Sequence, residues 1–237
     1  MKIMTFNMKN SGIFIGHWKQ RTKGFVELIK KEKPDIIGTQ EMTYKVKKYL
    51  KNLLIENKLF YTFVGESRSR TNGIYDEYNC ILINEKINIL NAHTYSLSNT
   101  PLIPKTKFKG DPFPRIITLI ETEKFYFYNT HLTHKITKNK LLQLDCIAKL
   151  LKKDKPIIIT GDFNLGYNKL KKFINSNNLK DITLNIGKTY STKRNLFHLD
   201  HILINKNIDY KNTIKHNYKY EKRYLSDHYP ITSEILL

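Results

Sequence analysis

The sequence predicts a mixed α/β domain in which two β-sheets pack face to face and helices cover their outer surfaces. Two observations support this fold class. Nine short runs rich in β-branched and aromatic residues have the length of strands, and three longer segments carry apolar residues at helical spacing. Because hairpin connections are mixed with helical crossovers, the pattern is not that of one purely alternating sheet.

The predicted strands lie, in chain order, at residues 2–7, 35–41, 61–65, 78–84, 116–121, 125–132, 157–163, 199–204 and 231–236. The run at 157–160 is β-branched throughout and is bounded by Pro156 and Gly161, which indicates a central strand covered on both faces. The predicted helices lie at 18–32, 44–56 and 138–151. The first of them places Phe25, Leu28 and Ile29 on one stripe.

Composition limits the class of protein. The 237 residues suffice for one large core and contain no Pro-, Gly- or Ser-rich linker, so we expect a single domain over residues 1–237. The 41 basic and 21 acidic residues give a net charge of +20, which suits nucleic acid or an anionic membrane surface as a partner. AT-rich coding produces a similar Lys-, Asn-, Ile- and Tyr-rich composition, so the charge alone leaves two explanations open.

Cysteine content and hydropathy bear on the compartment. Cys80 and Cys146 are too few for a disulfide framework or a Cys-based zinc site, which favours a reducing, cytoplasmic location. No segment approaches the roughly 18 apolar residues of a membrane span, and no basic and apolar leader precedes the first predicted strand. Aromatic residues are spread through the predicted strands and helices, as a core requires, so we expect a monomer.

Polar residues of similar chemistry recur where the predicted strands end. Asp162 and Asn164 follow the buried run 157–160, and side chains two positions apart in an extended chain point the same way. They should therefore emerge together at a carboxyl strand end, where open α/β sheets bind ligands. Taken alone, this segment would equally suit a turn. The recurrence favours a site, whose further members are Asn7, Glu41, His131, Asp200, Asp227 and His228.

The chemistry of this set points to metal-assisted hydrolysis of a phosphoester. Its oxygen ligands come from Glu41, Asp162, Asn164 and Asp227. Hard oxygen donors favour Mg²⁺, with Mn²⁺ as a substitute. A carboxylate would activate water while cationic groups hold the developing charge, a role that suits His131 and His228. Asp200 is predicted to pair with His228 and favour its imidazolium form.

Six segments together resemble one known family. KIMTFNM, DIIGTQE, YNTHLTH, ITGDFN, HLDHILI and LSDHYPI are similar, in order and spacing, to the motifs of the endonuclease/exonuclease/phosphatase family. That family includes pancreatic-type DNases, exonuclease III-type abasic endonucleases, neutral sphingomyelinases, inositol polyphosphate 5-phosphatases and nocturnin-like deadenylases. The resemblance covers nearly the whole chain. It implies a four-layer α/β sandwich, the DNase I-like fold, with two mixed sheets flanked by helices.

The resemblance also implies a role for each matching residue. Asn7 and Glu41 correspond to the first two metal-site positions, with Glu41 as the principal Mg²⁺ ligand, and Asp227 to a further metal-site residue. Asp162 corresponds to the residue that activates water, and Asn164 to the residue that orients the water and the phosphate.

The histidines and the outer segments complete these expectations. His228 corresponds to the histidine that contacts the scissile phosphate, Asp200 to its carboxylate partner, and His131 to a second histidine of the DNase and sphingomyelinase branches. EYNCILIN and FPRIITLIE resemble a bacterial subgroup, and within them Asn79 and Arg115 are the predicted phosphate-binding residues. An exposed arginine at a strand start is the alternative for Arg115. Two polar loops add expected phosphate contacts and one stacking surface, at Arg68, Arg70, Lys105, Lys107, Lys109 and Tyr75.

Three functions are compatible with the sequence. The first is a Mg²⁺-dependent phosphodiesterase that cleaves nucleic acid with water activated by Asp162. The second is a lipid or small-molecule phosphoesterase of the sphingomyelinase or phosphoinositide phosphatase kind, and a lipid substrate would bring peripheral membrane contact. The third is a nucleic-acid binding module without catalysis, against which the intact motifs argue.

Overall fold

The computed structural model describes residues 1–9, 16–71, 73 and 76–237. Tyr75, the predicted stacking residue, lies outside these described residues. The helices are α1 (Trp18–Glu32), α2 (Tyr44–Glu56), α3 (Thr137–Leu150) and α4 (Tyr167–Ser176). The strands are β1 (Lys2–Asn7), β2 (Ile36–Gln40), β3 (Met42–Thr43), β4 (Tyr61–Val64), β5 (Glu77–Tyr78), β6 (Ile81–Asn84), β7 (Asn91–Ser96), β8 (Ile116–Glu121), β9 (Tyr126–His131), β10 (Ile157–Asp162), β11 (Leu179–Asp181), β12 (Asp200–Asn205), β13 (Asp209–Lys215), β14 (Lys219–Tyr220), β15 (Arg223–Tyr224) and β16 (Ile231–Leu236).

Twelve of these strands form two six-stranded mixed sheets. The first sheet has the order β13-β16-β1-β2-β6-β4, and the second has the order β11-β12-β10-β9-β8-β7. In the first sheet β1 runs parallel to β2 and antiparallel to β16. In the second sheet β10 runs parallel to β9 and antiparallel to β12. Both sheets are thus mixed, as the sequence predicts, and the two-residue strands β3, β5, β14 and β15 form small ribbons beside them.

The two sheets pack against each other through a layer of isoleucines. Ile3, Ile36 and Ile81 come from the first sheet, and Ile158 and Ile202 come from the second, all fully buried in one cluster. Full burial of each such side chain stabilises the fold by roughly 1.5–3 kcal/mol. The next residues along the strands point the other way because side chains alternate in a strand. They contact α1 and α2 outside the first sheet, and α3 and α4 outside the second.

This alternation gives helix, sheet, sheet and helix, which confirms the predicted four-layer sandwich. Within the described part of the chain, no helix is long and apolar enough to cross a membrane. Cys80 and Cys146 are both free thiols.

A polar belt lies between the sheets beside the isoleucine layer. It consists of the fully buried side chains of Thr5, Gln40, Asn129 and Thr160. Asn129 Nδ2 donates to the Thr39 carbonyl oxygen (2.8 Å), and Gln40 Nε2 donates to Asn129 Oδ1 (2.7 Å), so hydrogen bonds join the two sheets. Satisfied buried polar groups specify one arrangement of the sheets, because sliding would leave donors unpaired.

Several elements differ from the sequence prediction. The predicted strand 78–84 is interrupted after Tyr78, because β5 pairs with β3 while β6 pairs with β2 and β4. The edge strands β7 and β13 and the short helix α4 are not predicted. Three of the six residues of β7 and five of the seven of β13 are exposed, so neither strand shows an apolar run. β13 also carries an irregularity between Lys211 and Ile214, typical of protected sheet edges.

Candidate active site

The strand register brings three predicted site residues into one row. On the inner face of the second sheet, Asp162 at the end of β10 lies opposite His131 of β9 and Asp200 of β12. Along β9 and β10 the inner face changes from the isoleucine layer through the polar belt to these charged groups, since every second residue shares it. Asn7 ends β1 on the facing sheet. The site therefore lies at one end of the space between the sheets.

Asp162 is the central group of this row. Its Oδ1 accepts the backbone N–H of Asn164 (2.9 Å), and its Oδ2 accepts Asn7 Nδ2 (3.0 Å). The carboxylate is nearly inaccessible to solvent, and burial raises its pKa to about 6 despite the nearby cationic His228. At neutral pH the group is therefore mostly ionised and close to the pKa suited to a general base.

His228 faces Asp162 and is paired with Asp200 behind it. His228 Nδ1 lies 2.8 Å from Asp200 Oδ2, and His228 Nε2 lies 3.6 Å from Asp162 Oδ2. Burial alone would lower the pKa of His228, but the carboxylates of Asp200 and Asp162 outweigh it and raise that pKa to about 10. The imidazolium thus directs one N–H to Asp200 and the other toward the cavity.

His131 approaches the same carboxylate from the other side. Its Nε2 lies 3.6 Å from Asp162 Oδ2, the same separation as that of His228. Burial and the adjacent Arg115 guanidinium hold the pKa of His131 well below its usual value, so its imidazole is neutral. The two histidines therefore differ in charge although they lie at the same distance from one carboxylate oxygen.

The acidic side of the cavity is built by Glu41 and Asp227, and the buried Asn7 is bonded to Glu41. Glu41 follows β2 with a φ of 55°, a left-handed conformation that directs it away from the strand. Asn7 Nδ2 donates to both Glu41 Oε1 (3.2 Å) and Asp162 Oδ2 (3.0 Å), which ties the two carboxylates together. Asp227 forms an ion pair with the Lys9 ammonium. The structure thus brings the three predicted metal-site residues to one side.

Asn164 occupies the loop that follows Asp162. Its φ is 50°, a conformation that Asn tolerates better than most residues, and its backbone N–H closes a turn onto Asp162. Asn164 Nδ2 donates to the Leu132 carbonyl oxygen (3.0 Å), and Lys140 Nζ donates to the Asn164 carbonyl oxygen (2.9 Å). These contacts hold the Asn164 side chain at the cavity wall.

A basic wall stands opposite the acidic side. Arg115 is buried, its Nη2 lies 3.2 Å from His134 Nδ1, and its Nε has no hydrogen-bond partner among the described residues. Arg68 Nη1 contacts Glu77 Oε2 (2.8 Å), and its guanidinium stacks on the Phe113 ring at 4.3 Å. A buried arginine with an unpaired N–H group can bind an anion without breaking an existing hydrogen bond of that group.

The cavity enclosed by these walls has a volume of about 640 Å³. Its lining comprises Lys9, Glu41, Arg68, Glu77, Phe113, Arg115, His131, His134, Asp162, Asn164, Tyr190, Leu199, Asp227 and His228. Asp200 lies behind His228, as a carboxylate partner should. Lys9, Glu77, Phe113 and Tyr190 were not predicted, because no strand end or motif marks them.

Some predicted phosphate contacts lie elsewhere. Asn79 does not line the cavity. Its Nδ2 donates instead to the carbonyl oxygen of Ile116 in β8 (2.7 Å). Arg70 forms an ion pair with Glu66 (2.7 Å) away from this cavity, and Lys107 Nζ contacts the Pro112 carbonyl oxygen (3.1 Å). Lys105 and Lys109 are exposed and do not line it either. Arg115 is a buried arginine, so its exposed alternative is not what the structure shows.

The donor set fits a hard divalent cation. Carboxylates of Glu41, Asp162 and Asp227 line one cavity, and the Lys9 ammonium already rests against Asp227 as a positive charge. Asp162, Asp200 and His228 also place ligand atoms within 4.8 Å of one another. His228 and Asp200 are joined by a hydrogen bond, however, so the oxygen-rich Glu41 side is the more suitable place for the cation.

Comparisons with known proteins agree with this architecture. Residues 4–228 match the model of the Endonuclease/Exonuclease/phosphatase family. The protein L388 of Acanthamoeba polyphaga mimivirus is 27% identical over 248 residues, which cover 90% of each chain.

Two solved structures share the fold over the full length of this chain. The mannosyl-6-phosphatase Bt3783 of Bacteroides thetaiotaomicron has a TM-score of 0.88 and 23% identity, with 100% of both chains covered. TDP2 of D. rerio, complexed with single strand DNA product, has a TM-score of 0.77 and 17% identity, with 99% of that chain covered.

Two sheets that converge on an acidic and histidine-rich cavity, with a divalent-metal donor set, define a metal-dependent hydrolase of phosphoester bonds. The chain belongs to the Endonuclease/Exonuclease/phosphatase family, as the match over residues 4–228 shows.

Proposed function

We propose that the protein is a Mg²⁺-dependent phosphodiesterase that cleaves nucleic acid with a water molecule activated by Asp162. The observation that carries this proposal is the position of Asp162 Oδ2, which lies 3.6 Å from both His131 Nε2 and His228 Nε2 in a cavity with a basic wall. One ionised carboxylate beside one charged and one neutral imidazole supplies a base and hydrogen-bond donors in a single place.

Each residue of the cavity has a distinct part in the proposed reaction. Asp162 takes a proton from the attacking water, and Asn164 orients the water and the phosphate from the adjoining loop. His228, kept cationic by Asp200, donates its Nε2–H to a phosphate oxygen where negative charge develops. His131 assists at the phosphate or the leaving oxygen. Arg115 offers its free Nε–H to the same phosphate.

A cation would be held by Glu41, with Asn7 and Asp227 beside it. Bound Mg²⁺ supplies polarisation of a phosphoryl oxygen and neutralises charge on the phosphate. Oxygen donors favour Mg²⁺ over softer ions, and Mn²⁺ accepts the same ligands.

Nucleic acid is supported as the substrate by charge. The net charge of +20 attracts polyanions, and Arg68, Arg115 and Lys9 place part of it at the cavity. TDP2, whose fold this chain shares, was solved with a single-stranded DNA product.

A small phosphate ester is the second candidate substrate. Bt3783, which has the higher structural similarity, is named a mannosyl-6-phosphatase. A volume of about 640 Å³ also suits a ligand of sugar-phosphate size. A lipid ester would require an apolar surface that faces the membrane, and among the described cavity residues Phe113 is the one exposed large apolar side chain.

A substrate panel with metal control tests the proposal. Purified protein is incubated with single-stranded DNA, single-stranded RNA, mannose 6-phosphate, sphingomyelin and bis-p-nitrophenyl phosphate, each with Mg²⁺, Mn²⁺ or EDTA. We expect metal-dependent cleavage of a nucleic acid that is abolished in Asp162→Asn. Turnover of mannose 6-phosphate alone would mean that the substrate is a sugar phosphate and not a nucleic acid. Cleavage that persists in Asp162→Asn would contradict the mechanism.

A further inference from the structure

A second cavity adjoins the catalytic one along the loop that carries Asn164. We call it the accessory groove; it has a volume of about 710 Å³ and shares His134, Asn164, Tyr190 and Leu199 with the catalytic cavity. The residues that line the groove alone include Lys140, Lys169, Lys188 and Phe197. The two cavities are therefore adjacent, and a substrate held at Asp162 lies next to the groove.

The accessory groove is positively charged. Lys140, Lys169 and Lys188 line it, and none of the described lining residues is acidic. Lys140 is only 8% exposed, and burial together with the nearby Lys169 lowers its pKa. Among the described residues, its ammonium donates one hydrogen bond, to the Asn164 carbonyl oxygen. A lysine ammonium with one of its three N–H groups bonded, beside a second lysine, is stabilised when an anion binds between them.

The groove also presents an aromatic face. The rings of Tyr190 and Phe197 are stacked, with centroids 6.5 Å apart and an interplanar angle of 13°. Their backbone segments are held together by hydrogen bonds from the N–H groups of Thr189 and Tyr190 to the Phe197 carbonyl oxygen (both 2.8 Å). Phe197 nevertheless remains 54% exposed, so this rigid pair leaves a free ring surface at the rim. An exposed aromatic on a fixed support is the usual platform for an unpaired base.

Tyr190 connects this platform to the catalytic centre. Its ring centroid lies 4.7 Å from that of His228, and its backbone forms a bridge with His228. The aromatic pair therefore starts at the phosphate-contacting histidine and ends at the groove rim. A chain that places its scissile phosphate at His228 would bring its neighbouring base over Phe197.

We propose that the accessory groove binds the nucleotide next to the scissile phosphate of a single-stranded nucleic acid, with its phosphate between the groove lysines and its base on Phe197. This inference rests on the proposed phosphodiesterase function and adds the part of the substrate that is recognised. An unpaired base is required because a base within a duplex has no free face to stack. A sugar monophosphate would leave the groove empty.

Two matched triple variants test the proposal. The groove variant combines Phe197→Ala, Lys169→Gln and Lys188→Gln. The control variant combines Phe60→Ala, Lys58→Gln and Lys86→Gln, which changes an equally exposed phenylalanine (54%) and two exposed lysines around a different cavity. Both variants lose the same charge and the same aromatic area from the surface. Thermal unfolding of each variant checks that the fold is retained.

The assay compares a long substrate with a minimal one. Single-stranded ten-nucleotide DNA and RNA, the corresponding duplexes and bis-p-nitrophenyl phosphate are hydrolysed with Mg²⁺ by wild type and both variants. We expect the groove variant to lose roughly tenfold or more in kcat/KM on single strands, together with the preference for single strands over duplexes. Its turnover of bis-p-nitrophenyl phosphate and the behaviour of the control variant should stay at the wild-type level. Its salt dependence on single strands should also become shallower, since each lost phosphate contact reduces the slope by about 0.7.

The other outcomes separate the two proposals. Equal losses of kcat/KM in the groove and control variants would mean that general surface charge binds the substrate. Unchanged cleavage by the groove variant would mean that the groove residues do not bind it. Either result would contradict the proposed role of the groove and leave the phosphodiesterase function standing. A loss on both long and minimal substrates would show that these residues act on the catalytic centre instead. If wild type hydrolyses the small esters but neither nucleic acid, the proposed substrate class and the groove assignment are both wrong.

Discussion

His201 Nδ1 lies 2.6 Å from Asp181 Oδ2, and both side chains are completely buried. His201 Nε2 lies 2.9 Å from the Leu165 carbonyl oxygen, so both ring nitrogens face acceptors and the ring is an imidazolium. Leu165 belongs to the loop that carries Asn164. The ion pair on the outer face of the second sheet thus fixes the position of a loop that serves the inner face.

This pair predicts a pH-dependent contribution to stability. Burial disfavours the charged ring, but the Asp181 carboxylate outweighs it and raises the pKa of His201 above 6.5, whereas His201 and Thr183 lower the pKa of Asp181 against the effect of burial. The contribution of His201 to the free energy of unfolding is fully present below pH 6.5, and it is lost as the pH rises through the pKa of His201 in the folded state. The Asp181 contribution is present above its unfolded pKa of about 3.8 and is lost on acidification.

We therefore expect His201→Gln to reduce the free energy of unfolding by about 3 kcal/mol at pH 5.5 and by less at pH 9, because it leaves a buried carboxylate unpaired. Urea unfolding of wild type and variant across this range measures the difference. His93→Gln, at an exposed position, is the control. A difference that is constant with pH would contradict the ion pair.

Asp162→Asn should separate activity from stability. Loss of the proposed base should reduce kcat on bis-p-nitrophenyl phosphate by about 10²- to 10⁴-fold. The pKa of about 6 shows that burying the ionised carboxylate opposes folding at neutral pH, so the neutral amide should leave Tm unchanged or higher at pH 7.5. Initial rates and thermal unfolding of the same preparation check both parts. A large fall in Tm would show that Asp162 acts mainly as a structural group.

Glu41→Gln should alter the metal requirement. Removal of the proposed principal ligand should raise the Mg²⁺ concentration for half-maximal activity by about tenfold or more. Titration of activity with Mg²⁺ measures this shift, and Glu85→Gln, an exposed change of the same kind, should leave it unaltered. An unaltered Mg²⁺ requirement in Glu41→Gln would place the cation elsewhere, for instance at Asp162, Asp200 and His228.

Gly38→Ala should destabilise the contact between the sheets. A Cβ at this position would lie 2.2 Å from Thr160 Oγ1 and 2.7 Å from Asn129 Oδ1, inside the polar belt. Overpacking of this kind costs about 1–3 kcal/mol, which denaturant unfolding would detect. Gly166→Ala is the matched control, since a Cβ there meets nothing within 4 Å. Equal stability of the two variants would mean that the side chains of the polar belt move aside at little cost in free energy.

Much of the layered fold could be predicted because strands and helices leave their signals in short stretches of sequence. The β-branched run of β10 predicts a strand covered on both faces, which its complete burial confirms, and the bounds predicted for β1, α1 and β16 agree with the structure. The strand-end reasoning selected residues that the structure brings around one cavity, although their catalytic roles stay predictions. Edge strands such as β13 carry little apolar signal, so local pattern could not find them.

The remaining features depend on contacts between distant parts of the chain. Asp181 lies in none of the predicted strands and in none of the six segments that resemble the family, yet it is the buried partner of His201, twenty positions away. Asn79 belongs to a segment that resembles the family, yet its side-chain amide donates a hydrogen bond to the Ile116 carbonyl oxygen. In both cases the hydrogen-bond partner decides the role, and a single sequence does not show which residues become neighbours.

The pairing of β1 with β16 has a consequence for biosynthesis. These strands are neighbours in the middle of the first sheet, although more than 200 residues separate them. Until β16 leaves the ribosome, one edge of β1 stays open and the Asp227–His228 corner is missing. Folding must wait for this long loop to close, which is slow and leaves an aggregation-prone edge exposed. The same delay keeps the active site incomplete until Asp227 and His228 have been synthesised, so the nascent chain cannot hydrolyse phosphoesters before then.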